Sequence, residues 1–220
     1  MCGRFRLTGG SRLLLRFRQE YGVEVAGPDG GEPALPESSV TFLPFHDVPV
    51  FCTDSEGRTR VRPMYWQLIH YWEREFKSPY TQFNTRVESL HKRHNRDLLE
   101  RRRCVFPASG FYETRKEPYE FTLKDRTIIP LGGIYSIWTN PEDGSGRRCS
   151  CSIITTEPNS LVAEVHDRMP FIIPAARVGD WLNRDITVYE QLLDMIRPYD
   201  AQKMNRVRAA ESSPPPSQPF

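Results

Sequence analysis

The chain opens Met1-Cys2-Gly3-Arg4, and the second residue carries the most distinctive chemistry in it. Cysteine is small enough that a preceding initiator methionine is ordinarily removed, which leaves Cys2 at the terminus. A terminal cysteine differs in kind from an internal one. Its nitrogen is an amine rather than an amide, so amine and thiol stand on adjacent carbons as a 1,2-aminothiol. The amine condenses with an aldehyde to an imine. The thiol then closes on the imine carbon to give a five-membered thiazolidine, an intramolecular and therefore strongly favoured step. With ordinary pKa values of about 7.7–8.0 for the amine and about 8.5 for the thiol, small shifts supply both reactive forms near neutrality. This chemistry needs no metal or organic cofactor. A Met-Cys start alone also fits an inert, buried Cys2, so the residues downstream must decide.

A reactive terminus needs a scaffold to aim it. The 220 residues suit one domain with a sizeable core, and 38% hydrophobic with 26% charged residues marks a globular chain. The formal net charge of +2 is too small to identify a polyanion partner, so that argument must rest on clustering. Cys2, Cys52, Cys104, Cys149 and Cys151 are odd in number and form no regular framework, which favours a reducing compartment. No C-x-x-C pair occurs, and Cys149-x-Cys151 lacks a second pair at zinc spacing, so no metal is expected. The start MCGRFRLTGG has no long apolar core and no run of about 18 apolar residues follows, so neither secretion nor a membrane span is expected.

Residues 11–21 place Leu13, Phe17 and Tyr21 at i, i+4 spacing, predicting a short helix capped by Ser11 and stopped at Gly22, with Arg12, Arg16 and Arg18 in solvent. GPDGGEPALPESS reads as an exposed loop. Between 40 and 66, VTFLPF, VPVFCT and RTRVRPMYW predict strands; 88–103 predicts a cationic helix carrying Leu90, Leu98 and Leu99. RCVFPA, YEFTLK, TIIPL, GIYSIW, SCSIITT and MPFIIP predict further strands, with NPEDGSGRR as a hairpin tip and two short helices over 174–182 and 187–196. No internal repeat is visible, and the regular βα alternation of a doubly wound sheet is missing. The expected fold is α+β: a single domain, 1–208, on a curved, mainly antiparallel sheet or open β-barrel with peripheral helices. The Pro- and Ser-rich stretch 209–220 is expected to be a disordered tail.

MCGR at 1–4, FNTRVE at 83–88, RRCVFPASGFYE at 102–113, LGGIYSIW at 131–138 and SIITTEPNSLVAEVHDRMPFII at 152–173 together resemble the SRAP family (SOS response-associated peptidase), the abasic-site processing proteins. Residue by residue, the resemblance implies that Cys2 is the nucleophile that crosslinks to the ring-opened sugar aldehyde and that Asn84 senses and orients the lesion. It implies that Glu113 works with the aldehyde and its intermediates, and that His166 does acid/base work at the sugar, including reversal of the crosslink. The residue chemistry agrees. Imine formation needs proton delivery to a departing hydroxyl and proton removal from the amine, which a carboxyl and an imidazole can share, while Asn positions without titrating. Arg4, Arg86 and Arg168 lie in the matched motifs and are candidates to hold phosphates, and Trp66 and Trp72 are candidates to stack on a splayed base. Where the family has W-G-x-x-P-x-W this chain has Gln67 and His70 in place of the glycine and proline, and Thr114 follows GFYE where Trp is common.

The resemblance implies a sensor and shield of abasic sites in single-stranded DNA, acting without cofactor as a monomer, with replication-fork junction DNA as a further substrate. The expected location is cytoplasm or nucleoid in a bacterium and nucleus in a eukaryote. Rival readings are an N-terminal-cysteine peptidase acting on residue 1, a class II glutamine amidotransferase and a noncatalytic single-stranded DNA-binding module. The amidotransferase motifs N-G-x-[IL]-[YF]-N and H-T-R-W-A-T are missing from the sequence.

Overall fold

The computed structural model describes residues 2–10, 12–27 and 35–209. In chain order the elements are β1 (Phe5–Leu7), α1 (Arg12–Tyr21), β2 (Val40–Phe42), β3 (Asp47–Thr53), β4 (Thr59–Trp66) and β5 (Asn84–Arg86). Then come α2 (Arg93–Arg101), β6 (Arg103–Ala108), β7 (Gly110–Thr114), β8 (Pro118–Leu123), β9 (Ile129–Trp138) and β10 (Arg148–Thr156). The last are α3 (Ser160–Ala163), β11 (Met169–Pro170), α4 (Val178–Leu182), α5 (Tyr189–Met195) and β12 (Met204–Arg208).

The strands form two sheets. One runs β12-β8-β7-β1-β2. In the other, β10-β4-β3-β6-β9 closes on itself because β9 also pairs with β10, so the expected open barrel is a closed ring of pairings with β5 and β11 added along β10. All pairings are antiparallel except β10–β4, β10–β5 and an isolated Ala26–Arg60 bridge. The strand register puts Val48, Val50, Cys52, Met64, Trp66, Cys104, Phe106, Tyr135, Cys151 and Ile153 on one face, the barrel interior. Gly133 is needed there: a Cβ at this position would lie 2.6 Å from both the Phe106 ring and the Ser152 carbonyl.

Helix α1 buries Leu13, Phe17 and Tyr21, as its spacing predicts, and seats the Phe17 ring 4.8 Å from that of Phe51 on the outer face of β3. Gly22, at φ +68, ends it, with its N–H on the Arg18 carbonyl at 2.8 Å. The predicted cap Ser11, much of the 27–39 loop and all but the first residue of the 209–220 tail lie outside the described residues. The helix predicted over 88–103 is shorter. A 3-10 turn at Val87–Ser89 precedes it, and Arg103 already belongs to β6 because its guanidinium is buried against the carbonyls of Leu99, Glu100 and Trp181. Four strands escaped the sequence reading: β1 and β5, of three residues each, are too short to show alternation, and β7 and β12, of five each, lack a clear apolar alternation.

Phe5 is fully buried where the two sheets meet, 5.1 Å from the Phe42 ring, 5.2 Å from Trp66 and 6.0 Å from Phe106. It plugs one end of the barrel. Phe5→Ala should therefore cost about 3–5 kcal/mol in urea denaturation, whereas Leu15→Ala on the exposed face of α1 should stay within about 0.5 kcal/mol.

Candidate active site

Four segments far apart in sequence converge just beyond that plug. Strand β1 lies between β2 and β7, with Phe5 opposite Phe111 and Arg6 opposite Gly110. The pairing continues past the strand as the Tyr112 N–H donates to the Arg4 carbonyl at 2.9 Å, which brings Glu113 abreast of the residues next to Cys2. Asn84 opens β5, which β10 holds by parallel pairing of Ile153 with Asn84 and of Thr155 with Arg86. A second tether joins the hydroxyls of Thr85 and Ser152 at 2.8 Å. So fixed, Asn84 donates from Nδ2 to the Cys2 carbonyl at 3.0 Å, and its buried Oδ1 has no hydrogen-bond partner among the described residues. An acceptor left so is suited to an incoming hydroxyl or amine.

His166 is placed by the short helix α3. Asn159 caps that helix by accepting the Val162 N–H at 2.9 Å, and the Val162 carbonyl accepts the His166 N–H at 2.9 Å. The ring is oriented by the Arg168 N–H, which donates to Nδ1 at 3.0 Å. Nδ1 is thereby the acceptor of the neutral ring, so we assign the proton to Nε2, which lies 4.0 Å from Glu113 Oε2. When the ring takes a second proton on Nδ1, the exposed Asp167 carboxylate at 2.9 Å can accept it.

Burial sets the electrostatics. Glu113 is 3% exposed, and loss of water pushes its carboxyl up to about 7. Burial raises the Cys2 thiol well above the usual range, with the Glu113 charge adding to the effect. The His166 imidazolium is disfavoured for the same reason, so its pKa is lowered. The site therefore holds a neutral thiol, a neutral imidazole and a carboxyl that changes state near neutrality.

The candidate binding residues divide. Arg4 lies over the Tyr112 ring at 4.2 Å, and Arg86 is exposed at the end of β5, both open to a ligand. Arg168 is buried and forked onto Glu88 at 2.6 and 2.9 Å, with a further bond to the Thr155 carbonyl at 2.7 Å. Its guanidinium holds the loop that carries His166, rather than standing open for a phosphate. Trp66 is 0% exposed and donates its indole N–H to the Phe83 carbonyl, so it belongs to the barrel plug and no base can stack on it. Trp72 is 47% exposed and stacks on His70 with centroids 4.2 Å apart. His70, in the place of the family proline, is itself buried and lowered to about 4 by desolvation. Gln67, in the place of the glycine, tucks under the Tyr80 carbonyl at 3.4 Å, and Thr114 is exposed.

Two residues beside the site escaped the sequence reading. Glu88 forms the fork with Arg168, and Phe45 is an exposed aromatic held at φ +68 with its ring 6.0 Å from Phe83, the neighbour of Asn84. A non-glycine residue in that conformation is strained, and such strain concentrates at functional sites. No local pattern signals it, since Pro44-Phe45-His46 reads simply as a turn.

The comparisons agree with this architecture. The chain is 30% identical over its whole length, and over 97% of the relative, to the abasic site processing protein YoqW of Bacillus subtilis. It is 26% identical over 68% of its length to the abasic site processing protein HMCES of Rattus norvegicus, of which it spans 53%. A crystal structure of a protein from Bacteroides thetaiotaomicron superposes with a TM-score of 0.77 at 25% identity, covering 96% of this chain and 93% of that one. A Bordetella bronchiseptica protein at 19% identity gives the same TM-score of 0.77 over 95% of this chain and shares the fold. The SOS response associated peptidase (SRAP) family model matches residues 1–212, and the chain belongs to that family.

Proposed function

We propose that the protein senses abasic sites in DNA and captures them covalently in single strands through Cys2 once Met1 is gone. The observation that carries this reading is the convergence of Asn84, Glu113 and His166 on Cys2 from three other segments, with Asn84 bonded to the Cys2 carbonyl itself. Relatives named as abasic site processing proteins support the same substrate.

The chemistry runs in the order the electrostatics favour. The buried thiol is neutral, so the amine attacks first, adding to C1′ of the ring-opened sugar while Glu113 takes the proton it loses. Protonation of the resulting hydroxyl lets water leave and gives the imine. The Cys2 sulfur then bonds to C1′ as its proton passes to the imine nitrogen, closing the thiazolidine; aldehyde and aminothiol have become one ring and one water. His166, with its proton on the nitrogen facing Glu113, is placed to protonate the sugar oxygen during ring opening and to exchange protons when the thiazolidine reopens. Arg4 and Arg86 hold flanking phosphates, and the exposed rings of Phe45 and Trp72 offer stacking surfaces. Release of residue 1 uses the same groups: the Cys2 thiol adds to the Met1 carbonyl as its proton passes to the departing Cys2 nitrogen, and water then hydrolyses the thioester, freeing Met1 and restoring the thiol. Junction DNA belongs to the same proposal, because an extruded sugar needs a flexible or bent backbone.

Denaturing gels with abasic and intact single strands test the capture: a denaturation-resistant band should form only with abasic DNA and disappear in Cys2→Ala. Cys2→Ser should retain at most a less stable, amine-linked adduct. Undiminished crosslinking by Cys2→Ala would sink the assignment of the nucleophile.

His166→Ala should slow both adduct formation on the cyclic sugar and release of preformed adduct into excess competitor abasic DNA. Release at the wild-type rate by a folded variant would remove His166 from the reversal step.

The raised pKa of Glu113 has a sign that stability can read. With 4.5 the ordinary value and about 7 the folded one, the fold prefers the neutral carboxyl. The stabilisation is full below pH 4.5 and is lost as pH rises to 7. Glu113→Gln stays neutral throughout, so its stability relative to wild type should rise over that interval, by about 3 kcal/mol at most. Urea unfolding at pH 5 and pH 8 checks this, and an unchanged difference would place Glu113 in a wetter site.

A further inference from the structure

The barrel has a second mouth, at the opposite end from Cys2. Its plugged end holds Trp66 and Phe106 under Phe5, whereas the interior face at the far end presents Cys52 on β3, Tyr135 on β9 and Cys149 at the start of β10. Cys149 and Ile153, the partner of Asn84, both lie on β10, so about 13 Å of extended strand separates this mouth from the Asn84 end.

Arginines from separate segments gather around it. Arg62 and Arg184 act electrostatically on the Cys52 thiol, Arg102 and Arg184 on the Tyr135 phenol, and Arg147, Arg62 and Arg102 on the Cys149 thiol. Arg102 lies over the Tyr135 ring at 5.9 Å. A cavity of about 280 Å³ beside them is lined by Arg101, Arg102, Arg184 and the Thr187 residue. Arg101 has an ion pair with Asp97 at 3.3 Å, but among the described residues Arg62, Arg102, Arg147 and Arg184 form none. Arg147 and Arg184 are exposed. Four unneutralised guanidinium groups on one rim repel one another, an arrangement that a polyanion relieves. Their spread over β4, the turn before β6, the turn before β10 and the turn after α4 suits a row of phosphates better than a single anion.

We propose that this far mouth binds the phosphodiester backbone of a DNA segment outside the lesion site. The inference rests on the reading of the protein as a binder of damaged DNA. It gives that activity a second, sequence-independent hold about four base-pair steps away along a duplex arm. The lesion and the arm are then gripped at opposite ends of one barrel.

Fluorescence anisotropy with intact DNA of about 30 nucleotides, single-stranded and with a duplex arm, compares wild type with Arg147→Glu/Arg184→Glu and with Arg147→Lys/Arg184→Lys. The glutamate pair should bind about tenfold more weakly at low salt, and its log–log salt slope should be smaller by about 1.4 on single strands. The lysine pair should stay near wild type. Crosslinking to an abasic oligonucleotide of about five nucleotides, too short to reach the far mouth, should be equal in all three. Unchanged affinity and slope in the glutamate pair, or an equal loss in the lysine pair, would overturn the proposal. So would loss of polyglutamate binding with DNA binding intact, which would mark an acidic protein as the partner. Failure of wild type itself to crosslink the short abasic strand would instead strike the reading of Cys2. If thermal melting shows the glutamate pair to be unfolded, Arg62→Gln/Arg102→Gln repeats the comparison.

Discussion

Everything at the site hangs on the seating of the six residues from Cys2 to Leu7. A terminal amine is ordinarily the most mobile group in a protein. Here the segment is threaded as β1 between β2 and β7, and Phe5 is sunk between Phe42, Trp66 and Phe106. Fixing Phe5 fixes Cys2 three residues away, within reach of the Asn84 amide. Burying Phe5 and Leu7, together with the pairing of β1 to both neighbours, works against the entropy lost in ordering a terminus. An intramolecular ring closure benefits only if both nucleophiles are already in place, so the core aromatics contribute to the chemistry through geometry.

The second requirement is a dry pocket. Water around Cys2 would favour the ammonium and keep Glu113 an ordinary carboxylate. Burial instead brings the carboxyl near 7, where it can both take up and return a proton at neutral pH. It also holds the thiol neutral, which protects it and orders the steps: the amine engages the aldehyde first, and the thiol closes afterwards. The buried and forked Arg168 stiffens the same wall, since its backbone N–H fixes the His166 tautomer while its guanidinium ties the loop to Glu88 and Thr155.

Much of this was legible in the sequence, for identifiable reasons. The 3.6-residue spacing of Leu13, Phe17 and Tyr21 announced α1, and VPVFCT and SCSIITT announced β3 and β10, while TIIPL and GIYSIW, read as two strands, join through Gly132 and Gly133 as the single β9. What stayed hidden was short or depended on partners. The three residues of β1 and of β5 cannot display a period, and they become strands only because β7 and β10 offer edges to them. Closure of the barrel rests on the β9–β10 pairing and on two parallel bridges between β10 and β4, which no local pattern encodes. Cys2 is legible as chemistry from its position alone, whereas Asn84, Glu113 and His166 drew their candidacy from the motifs around them. Charge and ring type did not distinguish a surface arginine from the clamped Arg168, nor a stacking tryptophan from the buried Trp66.

That last difference has a structural logic. Within one matched motif, His166 faces the site while Arg168, two residues on, points into the protein and is forked to a carboxylate. Alternation along a short extended segment sends neighbours two apart to the same side only if the backbone stays regular. Here the Arg168 N–H turns back onto the His166 ring, so the segment is bent and the register argument fails. The bend also explains why an arginine rather than a lysine occupies the position. A planar fork can satisfy both Glu88 oxygens and the Thr155 carbonyl together, and so can lock a bent loop that a single ammonium would leave free to swing.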